Sequence, residues 1–405
     1  MNEQTKITAT HPGIVDPATL NEAPHARLAE LRQETPLVQF GPKQYLVLRA
    51  AHVETLLTDT RTRQVEGPEF IALKQIPDGI TARFISDLLL FSNDGVHRKK
   101  RGLFARSFAH RVMQDMRGPV RAVADAIIAS LPRGQSIDFV DCVAARVPAE
   151  IIAAILGLPE ADSRHFARLV YNVALAFGPI YPHDQHEKIE NATKDLFHYV
   201  KGQMRSRMAA PGDDLLLVLV TDWQAEEDIS FDSVAFQVVG LIIAGSDTTR
   251  AAFAMLVAIL LERPSDWAAL RSDPSLIPGA VEEGLRYEPS VATIPRLTLA
   301  PLELDGIEVP AGVALSLSTM SAMRDPAFYA HPEQFDIRRT DHPRFHPVFG
   351  LGPHRCIGEM LARIEMQESL AAILAGAPGI ELQTPPRMVG FGGIRQITPM
   401  TVRIR

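Results

Sequence analysis

The sequence FGLGPHRCIG, residues 349–358, combines three glycines with a single cysteine. Glycine tolerates the left-handed backbone of a tight loop and lets the main chain approach a flat ligand closely. An amphipathic pattern follows from Ile357 to Leu374, which places Cys356 at the start of a predicted helix. The free N–H groups and the positive dipole end at that position favour a thiolate. This setting favours a ligand or nucleophile over an inert, buried cysteine, which is the commoner kind.

A second segment, from Phe231 to Glu262, is predicted to be one long buried helix. It is apolar nearly all round, with a capping Ser230 before it and Pro264 just after it. The run from Gly245 to Thr249 interrupts the apolar pattern. Its hydroxyls could bond back to the carbonyl four residues earlier. The alternative, which a run of five such residues favours, is a helix that opens locally to line a site for water or ligand.

The composition describes a mildly acidic, globular protein. Of the 405 residues 46% are hydrophobic, and the net charge of −7 argues against a general nucleic-acid binder. The two cysteines, Cys142 and Cys356, form no CxxC pair and fit a reducing compartment. The N-terminus has no signal pattern, and the polar centre of the long helix argues against a membrane span. We therefore expect a cytoplasmic protein with no nucleic-acid partner and no membrane anchor.

Helical periodicity dominates the chain. The predicted helices are 26–32, 51–58, 96–108, 111–131, 139–156, 162–173, 186–208, 231–261, 266–271, 277–287 and 357–374. The predicted strands are 37–40, 45–48, 296–299, 302–304, 314–318 and 401–404. No linker or low-complexity tract divides the chain. We expect a mainly α fold with a minor β subdomain, forming one large domain over residues 1–405 with an irregular segment at 1–20.

Other chemistries match the sequence less well. A nucleophilic Cys356 would need a base, but His354 is only two residues away, and a sequence neighbour is rarely the base in space. The spacings of His342, His346, His354 and Cys356 match no common zinc pattern. Neither a phosphate-binding GxxxxGK[ST] loop nor a GxSxG elbow occurs.

Two charged pairs lie at helical spacing. His97 and Arg101, in the run HRKKR, are four residues apart and could grip an anionic group together, although such a run is usually a solvated helix face. Glu283 and Arg286 are three residues apart, and an isolated pair of that kind is usually a weak surface ion pair.

Together these motifs resemble the cytochrome P-450 family of haem-thiolate monooxygenases. FGLGPHRCIG is similar to the family's haem-ligand loop, usually written FGxGxHxCxG, with every fixed position present. The other matches, in chain order, are HRKKR, AGSDTT at residues 244–249, EGLR at 283–286 and HPEQFDIRR at 331–339. The similarity extends over residues 20–405 and implies the P-450 fold with its long central helix. Residues 317–358 look closest to haem domains of reductase-fused bacterial members, and no reductase segment follows here.

The resemblance implies a role for each matched residue. Cys356 would be the iron ligand of haem b. Contacts with the haem and its propionates are implied for His97, Arg101, Arg296, Phe349, Gly350, His354 and Gly358. Asp247 and Thr248 match the acid–alcohol pair that delivers protons during dioxygen activation. Glu283 and Arg286 would be structural, bracing the cysteine loop through Phe335 and Arg338 or Arg339.

The implied reaction inserts one oxygen atom from O2 into a hydrophobic small organic substrate, by hydroxylation or oxidative dealkylation. The substrate pocket would be lined by Leu241, Ala244, Val291, Ile294 and Ile394, which are all apolar. Chance apolar packing would explain the same residues. Two alternatives stay open: a peroxide-driven haem peroxygenase, which would not need the acid–alcohol pair, and a non-catalytic haem-binding protein.

Electrons would come from a ferredoxin and ferredoxin reductase or from a separate reductase. Basic residues near the cysteine and on the HRKKR helix predict a positive face for an acidic ferredoxin. They are Arg98, Lys99, Lys100, Arg111, Arg355 and Arg363.

Overall fold

A computed structural model describes residues 11–105, 108–178, 180–210, 214–225, 229–343 and 346–405. The fold is mainly helical with a smaller β region, as the sequence predicts. The α-helices are α1 Thr19–Glu22, α2 Pro24–Glu34, α3 Ala50–Leu56, α4 Gly67–Lys74, α5 Ile80–Asp87, α6 Asp94–Ala105, α7 His110–Asp115, α8 Arg117–Ala129, α9 Arg146–Leu156, α10 Ser163–Ala174, α11 His186–Ala209, α12 Leu215–Ala225, α13 Phe231–Leu261, α14 Pro264–Ser272, α15 Ile277–Tyr287, α16 Thr319–Ala322 and α17 Glu359–Gly376.

The strands form one larger sheet and three small ones. The strands are β1 Gly13–Ile14, β2 Leu37–Gly41, β3 Gln44–Val47, β4 Thr62–Gln64, β5 Ser136–Asp138, β6 Thr293–Thr298, β7 Leu302–Leu304, β8 Ile307–Val309, β9 Ala314–Ser318, β10 Ile380–Thr384, β11 Met388–Val389, β12 Gln396–Ile397 and β13 Thr401–Ile404. The larger sheet has the order β1-β2-β3-β9-β6-β4, and a second has the order β10-β13-β5. β7 pairs with β8 and β11 with β12.

The central helix α13 organises the helical part of the molecule. It has 31 residues, and the Ser230 hydroxyl caps it by accepting a hydrogen bond from the Ser233 N–H at 3.1 Å. Helices α9, α10, α11, α15 and α17 pack around it. Gly284 of α15 allows a close approach, because a Cβ there would lie 2.8 Å from Leu256 Cδ1. An apolar helix can be this long in water because its neighbours cover nearly all of its surface.

Several sequence predictions of elements need correction. The helix predicted at 111–131 is two helices, α7 and α8, which meet at Met116. The one predicted at 139–156 begins with a π-helical turn at Val140–Ala144, before α9. The predicted irregular segment at 1–20 contains β1 and the start of α1, while residues 1–10 lie outside the described part of the chain. Helices α4, α5 and α12 were not predicted from the sequence.

Candidate functional site

The cysteine loop links two 3-10 turns, Pro347–Phe349 and Gly352–His354, to helix α17. Gly350 and Gly352 both have φ of +69°, in the left-handed region that favours glycine. The Cys356 N–H donates to the Phe349 carbonyl at 2.8 Å and closes the loop. Gly358 is the residue before α17, so the cysteine lies just outside the helix rather than in its first turn.

Cys356 is exposed in the structure, although many protein atoms surround its thiol. Its side chain has accessible surface, yet burial raises the thiol pKa. The Gly358 N–H and the charge of Arg101 lower that pKa, while Glu359 adds to the increase. Burial therefore opposes the helix-terminus effect that the sequence analysis expected to favour a thiolate. A bound metal ion, by displacing the proton, favours the thiolate form.

Four basic side chains from different parts of the chain meet near this loop. The rings of His97 and His354 lie with centroids 4.0 Å apart. Arg101 donates to the Arg355 carbonyl at 2.7 Å, and Arg296 donates to Thr62 at 2.8 and 3.0 Å. We call His97, Arg101, Arg296 and His354 the basic cluster.

Within the described ranges, no carboxylate forms an ion pair with any member of the basic cluster. His97 Nε2 is buried and has no hydrogen-bond partner there. Burial, followed by the charges of the other three members, lowers the pKa of His354 to about 3. Burial lowers the pKa of Arg296 to about 10. Buried cations without a counter-charge are costly, so the cluster fits a ligand that brings its own carboxylates.

The central helix stays helical through the polar run, so the predicted local opening is not observed. The Thr248 hydroxyl donates to the Ala244 carbonyl at 2.8 Å, which is the back-bonding alternative. Ala244 is nevertheless exposed in a helix whose other faces are covered, and Thr248 is partly exposed. Asp247 is completely buried and pairs with Arg250 at 2.5 Å. Acid and alcohol are therefore adjacent on α13, with different partners.

Glu365 of α17 is a buried acid that the sequence analysis missed. It accepts a hydrogen bond from Thr249, next to the acid–alcohol pair, and burial raises its pKa to about 8. At neutral pH the side chain can therefore hold a proton. The sequence did contain a sign that Glu365 is buried, because it lies between Ile364 and Met366 in the apolar stripe of α17.

Glu283 and Arg286 form a fully buried pair on α15, at 2.7 and 2.8 Å. Arg286 also donates to three carbonyls of the following loop, those of Met323, Pro332 and Gln334. Glu283 accepts from the Asp336 N–H at 2.9 Å and from Arg339 Nε at 3.0 Å. Of the two predicted partners, Arg339 makes the contact, while the Arg338 N–H bonds to Asp336.

The predicted pocket residues come from three places in the fold. Val291 and Ile394 face each other in an isolated antiparallel bridge, and Ile294 approaches Gly350 of the cysteine loop. Leu241 and Ala244 lie on α13, within two turns of Thr248. Of the five, Ile294 is the residue that lies on β6 next to the cysteine loop.

The predicted positive face is partly neutralised. Lys100 is buried and pairs with Asp87 at 2.7 Å. Arg355 pairs with Glu359 at 2.7 Å, and Arg363 pairs with Glu359 and, at 2.6 Å, with Glu282. Arg98 is exposed, whereas the Arg111 side chain lies outside the described part of the structure.

Two further observations concern metals and membranes. Among the described residues, no group of three His, Cys, Asp or Glu side chains could hold a metal ion. Helix α13 is the one described helix that is long and apolar enough to cross a membrane, and 78% of its most apolar window is buried inside the fold.

Comparisons with known proteins agree with the motifs. The family model described as cytochrome P450 matches residues 139–376. The chain is 37% identical to the plant-inducible cytochrome P450-pinF1 of Rhizobium radiobacter, over 98% of this chain and 94% of that protein. It is 31% identical to nocardicin C N-oxygenase of Nocardia uniformis subsp. tsuyamanensis, over 92% of each. A crystal structure of the myxobacterial cytochrome P450 CYP267B1 with myristic acid is 28% identical, with a TM-score of 0.84 over 96% of this chain and 98% of that one.

Proposed function

This chain belongs to the cytochrome P450 family and is a P450 monooxygenase, and from that premise we propose that it holds haem b at Cys356 and transfers one oxygen atom of O2 to a hydrophobic small organic molecule. The observation that carries this proposal is the basic cluster beside the accessible Cys356 side chain. No described carboxylate forms an ion pair with the cluster, and haem b brings two propionates. The residues present therefore fit this cofactor.

Each side chain has a distinct task in the proposed site. Bound haem supplies dioxygen activation, and a thiolate ligand increases the electron density available for O–O cleavage. Cys356 binds the iron, with the loop N–H groups orienting its sulfur. Arg101 and Arg296 supply charge for the propionates, while His97 and His354 supply ring N–H donors. Asp247 and Thr248 hold and move protons on the α13 side.

A spectrum tests the thiolate. Purified protein should show a Soret band, and its reduced complex with carbon monoxide should show the red shift that thiolate ligation gives. Cys356→Ala should abolish that shift, while Cys142→Ala, the matched control at the other cysteine, should retain it. A folded parent protein that binds no haem, or whose reduced carbon monoxide complex lacks the shift, would overturn the assignment.

We propose a substrate that is apolar over most of its surface. The pocket residues Leu241, Ala244, Val291, Ile294 and Ile394 offer no charge for a salt bridge. Hydroxylation and oxidative dealkylation both fit such a pocket. A screen of substrate-induced Soret shifts identifies the class: apolar compounds should shift the band at lower concentrations than charged compounds of equal size.

Electrons reach a P450 monooxygenase from a redox partner, and we propose a ferredoxin with its reductase, or a separate reductase, in the cytoplasm. A chain with only two cysteines, Cys142 and Cys356, fits that compartment. Lys100, Arg355 and Arg363 already have acidic partners. The net positive charge that could attract an acidic ferredoxin is therefore smaller than the number of basic residues suggests. The reduction rate should therefore fall with ionic strength, but weakly. Product formation that proceeds faster with hydrogen peroxide than with any electron donor would favour a peroxygenase instead.

A further inference from the structure

Tyr171 of α10 contacts the central helix beside Asp247. The guanidinium carbon of Arg250 lies 4.1 Å from the centroid of the Tyr171 ring, well within cation–π range. The Tyr171 hydroxyl is buried without a hydrogen-bond partner in the described ranges, and burial raises its pKa above the usual value for tyrosine. The contact is therefore made by the face of a neutral ring.

Arg250 in turn engages one oxygen of Asp247. Its Nη2 and Nε donate to Oδ1 at 2.5 and 3.2 Å, whereas the buried Oδ2 has no partner among the described residues. The carboxylate is fully buried and the arginine nearly so. The orientation of the guanidinium thus decides which carboxylate oxygen is occupied.

The helix alone does not fix that orientation. An arginine three residues away can reach either oxygen of a carboxylate, so the helical spacing by itself does not decide which oxygen Arg250 occupies. A second carboxylate is also available, since the charge of Asp141 interacts with Arg250. The Tyr171 ring covers the guanidinium on one side and holds it against Asp247.

We propose that Tyr171 is a positioning residue for the monooxygenase reaction. Its ring fixes Arg250 on Oδ1 of Asp247 and leaves Oδ2 as the atom that accepts and releases protons. The inference rests on the proton-handling role given to Asp247 under the proposed function. Tyr171 itself would neither contact the cofactor nor transfer a proton; it would act on the reaction through Arg250 and Asp247.

Two variants separate the ring from the hydroxyl. Tyr171→Phe keeps the ring face, and Tyr171→Leu removes it. We expect Tyr171→Leu to form about five-fold less product per reducing equivalent, because the lost contact corresponds to about 1 kcal/mol, with a larger solvent deuterium isotope effect. Tyr171→Phe should match the parent protein in both measurements. Product formation driven by hydrogen peroxide, which brings its own protons, should be the same in all three proteins.

A double-mutant cycle adds a readout that does not depend on turnover. Unfolding by denaturant is measured for the parent, Tyr171→Leu, Arg250→Gln and the double variant. The two substitutions should be non-additive, by about five-fold in the unfolding equilibrium constant. If Tyr171→Leu does not fold, Tyr171→Met replaces it in the cycle, because methionine is a flexible apolar side chain without a ring face.

Each result decides the proposal. Additive effects, equal losses in the Phe and Leu variants, or an equal loss of the peroxide-driven reaction would overturn the positioning role. These outcomes differ from a failure of the proposed function. In that case the parent protein itself would lack the thiolate spectrum, or Asp247→Asn would leave product per reducing equivalent unchanged.

Discussion

Burial keeps the ionisable side chains of Glu365 and His354 neutral, by raising the pKa of the acid and lowering the pKa of the base. Burial raises the pKa of Glu365 to about 8 and lowers that of His354 to about 3. Near neutral pH the positive charge in the basic cluster therefore lies on Arg101 and Arg296. The neutral His354 ring and the protonated Glu365 carboxyl can each donate a hydrogen bond without carrying a charge.

Glu365 should make stability depend on pH. Its folded pKa of about 8 lies above the usual value of 4.5, so between these values only the unfolded chain releases the proton. Its stabilising effect is full below about pH 4.5 and is lost as pH rises towards 8. Glu365→Gln removes this dependence and should raise the free energy of unfolding at pH 8 by up to ~4 kcal/mol, with little change at pH 4.5.

Denaturant unfolding across this range measures the effect. Glu54→Gln, which neutralises an exposed carboxylate, is the control and should shift the curve little at any pH. A Glu365→Gln profile parallel to that of the parent would contradict a protonated Glu365.

Arg296 should retain the cofactor. Replacing it with Met removes one of two full charges from the basic cluster, and a hydrogen bond to a charged group contributes about 1.5–3 kcal/mol. Haem transfer from Arg296→Met to apomyoglobin should therefore be about ten-fold faster or more. Arg27→Met, at the exposed pair with Glu30, should transfer haem at the parent rate. Equal rates for the two variants would mean that Arg296 does not hold a propionate.

At the scale of elements, helices with a clear apolar period were predictable. The predicted spans of α13 and α15 match the structure, because caps and prolines mark their ends. Helix α12 was missed because its leucines show no amphipathic face. The break at Met116 was marked by Gly118 and Pro119, in the first turn of α8, and this signal was overlooked. The residue types of the cysteine loop were visible in the sequence, whereas the contacts of Glu365 and Tyr171 depend on helix packing.

Helix α5 depends on a cap from another helix. Glu190 of α11 accepts from the Ile80 N–H at 2.5 Å and the Thr81 N–H at 3.0 Å, and a Cβ on Gly79 would collide with it. Glu190→Ala should destabilise α5 by about 1 kcal/mol. Hydrogen exchange over residues 79–87 should then be about five-fold faster, with exchange in α15 unchanged. Unchanged exchange in α5 would show that packing alone holds this helix.

The pair Glu283 and Arg286 ties α15 to the loop before the cysteine. Arg286→Leu removes one of the two arginines that contact the buried Glu283 carboxylate and the donor to three carbonyls, so the free energy of unfolding should fall by about 3–5 kcal/mol. Denaturant unfolding checks this, with Glu30→Gln at the exposed Arg27 pair as a control that should change little. A small loss in Arg286→Leu would mean that water replaces the guanidinium.

At the scale of the molecule, the basic cluster joins segments that are far apart in sequence. His97 comes from α6, Arg296 from β6 and His354 from the cysteine loop. A ligand that bridges them links the sheet to the helices, so haem should stabilise the whole protein. The melting temperature of haem-loaded protein should exceed that of apoprotein by several degrees. Equal melting temperatures would indicate that haem binds outside this cluster.

The bridge between Val291 and Ile394 also bears on how such a protein can change over time. Ile394 lies on a turn where Gly390 and Gly393 have φ of +103° and +60°, well away in sequence from the cysteine loop. Substitutions in this turn would reshape one wall of the proposed pocket and leave Cys356 in place. That wall can therefore diverge between related proteins while the cysteine loop is kept.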